Sequence, residues 1–180
     1  MYTALAKDSG IDPKTLRFTS TGFNQIEFLL TKKVDAVSLY RTSGLPELLK
    51  QPQEYNIIYP ENFGYNSYDD ILITNTNFLE NNKEIVKKFV KASASGWDTT
   101  IKHPEIGISS TLSYMDSNTG HKETQQNVLK QSIPLIKESP EAIIGKMSDI
   151  RWQEQANLLS NEGIIKKQDI SNVFTNKYLE

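Results

Sequence analysis

Cysteine is missing from all 180 residues. Its absence excludes disulfides, thiolate metal sites and cysteine nucleophiles, and it is compatible with an oxidising compartment without proving one. Histidine is nearly as scarce. His103 and His121 are the two in the chain, and neither has a carboxylate or a second imidazole at metal-ligand spacing, so they read as solvated surface residues and not as zinc ligands or triad members. The nine glycines are scattered, and no phosphate-cradling glycine loop or serine elbow occurs, which disfavours nucleotide chemistry. No apolar run approaches the roughly 20 residues that a helix needs to cross a bilayer. The most apolar windows, Ile26 to Leu30 and Val34 to Leu39, are interrupted by Glu27 and Asp35.

An excess of one charge is lacking too. Lys plus Arg number 20 against 22 Asp plus Glu, a net charge of −2, so no global field draws in nucleic acid or an anionic membrane. The pairs Lys32–Lys33, Lys87–Lys88 and Lys166–Lys167 are isolated and carry no interleaved aromatics, as solvated faces do. Asp35, Asp69 and Asp70 are the carboxylates best placed for acid–base work, yet acids before a strand ordinarily serve turns and caps. The expectation is a protein that binds a ligand and catalyses nothing, with no cofactor, no metal and no nucleic-acid partner.

What is present has a clear order. Residues 1 to 9 read as an amphipathic helix closing at Gly10, without the basic start or apolar run of a signal peptide, and Met1 reads as the start of a fragment. The next 65 or so residues alternate short helical patterns with β-rich runs: a strand at Leu16 to Thr19, a helix at Asn24 to Lys32, a strand at Val34 to Tyr40, a helix at Leu45 to Lys50, and strands at Tyr55 to Tyr59 and Ile71 to Thr74. That rhythm predicts an α/β unit with a small, mainly parallel sheet. After Thr74 the strand pattern disappears, which places a boundary near Asn75 and predicts an α/β lobe over 1–75 followed by an all-helical segment over 76–180. The long helix begins at Asn81 or Asn82, ends at His103–Pro104, and carries one apolar stripe of Ile85, Val86, Phe89, Val90, Trp97 and Ile101. The stripe predicts Phe89 and Trp97 in the core. Further helices are expected over 105–112, 121–130, 148–161 and 170–179.

Two clusters carry ligand chemistry. Phe63 to Asp70 is a loop dense in rings and short polar groups directly before a strand; rings can stack on a flat ligand while Ser67 and Asp69 fix its orientation. Phe63 and one tyrosine can equally plug the edge of the core. Tyr40 to Gly44 follows a strand at its carboxyl end, where open α/β sheets place ligands. Arg41 there can pair with a ligand anion or with a surface acid.

Three stretches carry a family resemblance: Leu29 to Ala36, with the Val34–Asp35–Ala36 step; Tyr59 to Thr74, an acid–aromatic–glycine run leading into a strand; and Asn82 to Trp97 followed by His103–Pro104–Glu105. In this order they resemble the type II periplasmic solute-binding proteins for thiamine-pyrimidine precursors, relatives of the alkanesulfonate and taurine binders, and the similar sensor domains of bacterial kinases and diguanylate cyclases. The segment Tyr40 to Glu47 keeps the family's tyrosine and proline but not its Asn–Glu pair.

The resemblance covers the second half of such a protein and implies a periplasmic binding protein type II-like fold in which ligand lies in a cleft between two lobes. It implies a flat polar heterocycle as ligand, an extracytoplasmic or periplasmic location, and a membrane permease as partner for ABC-type uptake, or else a signalling module. The expected ligand-binding set is Tyr40, Arg41, Thr42, Tyr65, Ser67, Tyr68 and Asp69. Eukaryotic relatives that synthesise the thiamine pyrimidine carry a cysteine-rich motif in place of Tyr65 to Asp70, and its absence argues against that enzyme. Half a cleft leaves apolar faces open, which makes a homodimer of the 180-residue chain an expected partner state.

Overall fold

The computed structural model describes residues 2–116 and 121–179. Its helices are α1 (Tyr2–Asp8), α2 (Gln25–Leu30), α3 (Gly44–Leu48), α4 (Thr76–Asn81), α5 (Lys83–Lys102), α6 (Pro104–Tyr114), α7 (Lys122–Ile136) and α8 (Asp149–Asn161), with short 3₁₀ turns at Pro13–Thr15 and Pro60–Phe63. Local chemistry accounts for their ends. Asn75 accepts from the Phe78 N–H at 2.7 Å to start α4, and Ser148 accepts from the Arg151 N–H at 3.4 Å to start α8. Lys102 closes α5 with an ion pair to Asp98 one turn back, at 2.6 Å.

Three helices end in the same left-handed cap. At α1 the Ile11 N–H reaches the Ala6 carbonyl and Gly10 sits at φ 74°; at α8 the Ile164 N–H reaches Leu159 and Gly163 sits at φ 70°. At α2 the Lys33 N–H reaches Phe28, but Lys32 occupies the left-handed position, at φ 57°.

The sheet expected over residues 1–75 is not formed: among the described residues there is no strand. Leu16 and Tyr59 have extended backbones, at φ −80°, ψ 130° and φ −95°, ψ 116°, yet no segment lies beside them in a ladder. A β-rich run specifies the capacity to pair and leaves the partner open. The helix expected over 170–179 is also replaced, by turns in which the Asp169 carboxylate accepts from the Ser171 N–H and hydroxyl at 2.9 and 2.8 Å. Such side-chain bonds compete with helix formation. Between residues 76 and 161 the described elements are the helices α4 to α8, and residues 137–148 between α7 and α8 are not helical.

The chain divides into two compact units. The first comprises Met1–Phe18, Tyr55–Val90 and Lys146–Glu180; the second comprises Thr19–Glu54 and Lys91–Gly145. In the first, α1 buries Ala4 and Ala6, and Glu162 at the end of α8 takes hydrogen bonds from Thr3 (2.7 Å) and Lys7 (2.9 Å). In the second, Leu45 and Leu48 of α3, Ile108 of α6 and Leu129 of α7 are buried, and α6 packs on α7. The core expectation for α5 is overturned: no residue of this helix is buried, Phe89 is 61% exposed, and Trp97 is 42% exposed and lines an open cavity. Helical periodicity says which face would be covered, not what covers it.

A left-handed backbone costs an L-residue about 1 kcal/mol that glycine does not incur. Lys32→Gly is therefore expected to raise unfolding stability by about 0.5–1 kcal/mol, read as a higher denaturant midpoint at unchanged slope.

Candidate functional site

The loop after the Pro60–Phe63 turn carries most of the expected ligand residues, and its two tyrosines engage different helices. Tyr65, half-buried, donates its hydroxyl to the Asp8 carboxylate at the end of α1. That hydrogen bond holds the phenol in its neutral form and pushes its pKa up to about 12. Tyr68 is bound to α8: its hydroxyl accepts from the Ser148 N–H at 2.6 Å, its ring lies under the Arg151 guanidinium at 4.8 Å, and it meets Trp152 at 5.8 Å with a 39° tilt. Trp152 in turn stacks on Phe174 at 5.5 Å, with 13° between planes.

The result is a row of three half-buried rings with a cation at one end, a surface on which a flat molecule can stack. The Trp152 indole N–H and the Gln155 amide oxygen, three residues apart on α8, are shielded from solvent without a hydrogen-bond partner among the described residues. A buried donor or acceptor left in that state costs about 1–3 kcal/mol, so both groups favour any arrangement that supplies a polar partner.

Ser67 and Asp69 are exposed beside these rings. Phe63 lines a small apolar pocket of about 160 Å³ with Tyr2, Leu5 and Ile58, at the edge of α1. Its ring is 52% exposed and borders that pocket without being buried in the core. The other expected cluster belongs to the second unit. Tyr40 is 66% exposed, and its carbonyl accepts from Ser43 and Leu45 to form the turn that starts α3; Arg41 and Thr42 lie half-buried in that turn. The structure thus gathers Tyr68 with side chains that sequence reasoning missed: Arg151, Trp152 and Phe174. One signal was available, since Trp152 is one of only two tryptophans. Phe174 offered none, lying in a stretch that reads as helix.

Among the described residues no helix is long and apolar enough to cross a membrane, and no group of acids and histidines has the makings of a metal site. Residues 1–106 match the family model described as NMT1/THI5 like. The chain belongs to this family. Membership in the NMT1/THI5-like family implies a periplasmic binding protein fold, the coarse architecture read from the sequence. The family assignment also supports the resemblance to the thiamine-precursor binding group.

The NMT1/THI5-like chain is 26% identical over 88% of its length to a putative thiamine biosynthesis protein of Haemophilus influenzae, covering 49% of that protein. It is 22% identical over 94% of its length to the riboflavin-binding protein RibY of Chloroflexus aurantiacus, covering 49%. It is 21% identical over 83% of its length to a formylaminopyrimidine-binding protein of Halalkalibacterium halodurans, covering 46%. The chain thus spans about half the length of these curated relatives. No solved structure matches it.

Three substitutions test the internal construction of the first unit. Tyr68→Phe removes one hydrogen bond and is expected to cost about 0.5–1.5 kcal/mol in chemical denaturation; Tyr68→Ala should cost more, because the ring contacts with Arg151 and Trp152 go with it. Glu162 is held below its ordinary carboxylate range by the Thr3 hydroxyl and then the Lys7 ammonium. A depressed folded pKa stabilises above the unfolded value and is lost as pH falls through the folded one. Glu162→Gln should therefore melt below the wild type at neutral pH, and the difference should close as pH falls below the ordinary value of 4.5.

Proposed function

We propose that this chain belongs to a two-lobed, extracytoplasmic solute-binding protein that captures a flat polar heterocycle for uptake through a membrane permease. The observation that carries the reading is the ring row of Tyr68, Trp152 and Phe174 with Arg151 at its end, beside the polar loop of Ser67 and Asp69. Rings supply stacking energy with little conformational cost, and a few hydrogen-bonding groups fix orientation. Two of the relatives are named for ligands of this kind, riboflavin and a formylaminopyrimidine.

On this reading residues 1–75 correspond to one lobe and residues 76–180 to helices that cover the other. Tyr40, Arg41 and Thr42 are ligand-contact candidates in the second unit, and Tyr65, Ser67, Tyr68 and Asp69 are the candidates in the first. The role is binding, with no catalytic step assigned to any residue.

Formylaminopyrimidine and riboflavin titrated into the two-lobed protein should quench tryptophan fluorescence. Tyr40→Ala and Tyr68→Ala should each weaken that binding by about tenfold or more, the loss of one well-placed stacking contact. Affinity that survives both changes overturns the assignment. The 180-residue chain by itself presents one wall, which cannot bury the ~70–90% of ligand surface usual in such pockets. Calorimetry on it should give affinity weaker than micromolar, and light scattering should show self-association. A strict monomer that binds at micromolar affinity or better refutes the two-lobed reading.

A further inference from the structure

We propose that the cavity between α5, α6 and α7 is a separate binding site for a small uncharged molecule with one flat face. The inference is independent of the ligand loops above. The space is open to solvent on one side and measures about 660 Å³, within the range of small-molecule pockets.

The lining decides the chemistry. Trp97 offers a ring, and Ile108 and Leu129 form a buried apolar floor. Ser132 has committed its hydroxyl to the Val128 carbonyl at 2.8 Å, while Thr100, Thr111 and Gln125 bring two hydroxyls and an amide to the wall. Among the described residues that line the space there is no acid, lysine, arginine or histidine. A charged guest would leave water without a counter-charge to meet it, so the site selects neutral ones.

Two glycines shape the site. Gly107 lets α6 close on α5, since a Cβ there would fall 2.4 Å from the Thr100 methyl. Gly96 lines the cavity from α5, and a Cβ there would meet nothing within 4 Å. Glycine is a poor residue for a helix interior, and close packing does not require it at this second position.

That geometry gives a clean test. Gly96→Leu puts a side chain into the open space while improving helix propensity, so the variant should melt no lower than the wild type. Nicotinamide, an uncharged flat amide at neutral pH, serves as probe in ¹⁵N–¹H spectra of the full chain. Saturable shifts are expected at Gly96, Gly107 and the Trp97 indole. Gly96→Leu should weaken the apparent affinity by about tenfold or more, and Phe89→Ala, on the same helix outside the cavity, should leave it unchanged. If the leucine variant unfolds, Gly96→Ser serves in its place and must weaken binding in the same direction. The proposal is overturned by shifts that fail to saturate up to the solubility limit, by shifts centred elsewhere, or by binding indifferent to the filled cavity. It is equally overturned if the cavity resonances respond only to protein concentration, the sign of a seat for polypeptide.

Discussion

Every backbone N–H and C=O needs a partner, and helices and strands differ in where the partner lies. A helix finds it four residues away in its own chain; a strand must find it sideways, in another segment. This difference organises the molecule. Wherever the sequence carries its own solution, as in the capped helices α4 and α8 or the ion-paired end of α5, the element is formed. Where the solution is lateral, no ladder forms among the described residues, and Ile73 is 85% exposed in the run expected as the last strand.

The legibility of the sequence follows the same line. Helix α5 was readable nearly to the residue, because Glu84 at its start and His103–Pro104 at its end are local signals. Gly10 and Gly163 announced two helix ends through the conformation that they alone adopt without strain, while Lys32, in the same conformation, did not. The burial of Trp97 was misread because a stripe on a helix fixes a direction and not a neighbour. The sheet is not confirmed among the described residues for the matching reason, since β-rich runs give no account of what they pair with.

The ring row around Tyr68 was half legible. The loop from Phe63 to Asp70 drew attention by composition, but Arg151, Trp152 and Phe174 come from some 80 to 105 residues further along the chain. Only the folded chain brings them to one place. What the loop contributes also differs from a free ligand-gripping surface: Tyr65 and Tyr68 spend their hydroxyls on Asp8 and Ser148, so both rings arrive already oriented. Preorganised rings lose little freedom when a guest stacks on them.

The interleaving of the two units has a consequence for how the protein is made. Thr3 meets Glu162 across 159 residues of chain, so α1 emerges from the ribosome long before the helix that receives it. The second unit needs nothing beyond Gly145, and at ~5–20 residues per second of synthesis it has seconds to fold while the first unit is still incomplete. During that interval Thr3 and Lys7 of α1 lack the carboxylate that later ties them to the end of α8.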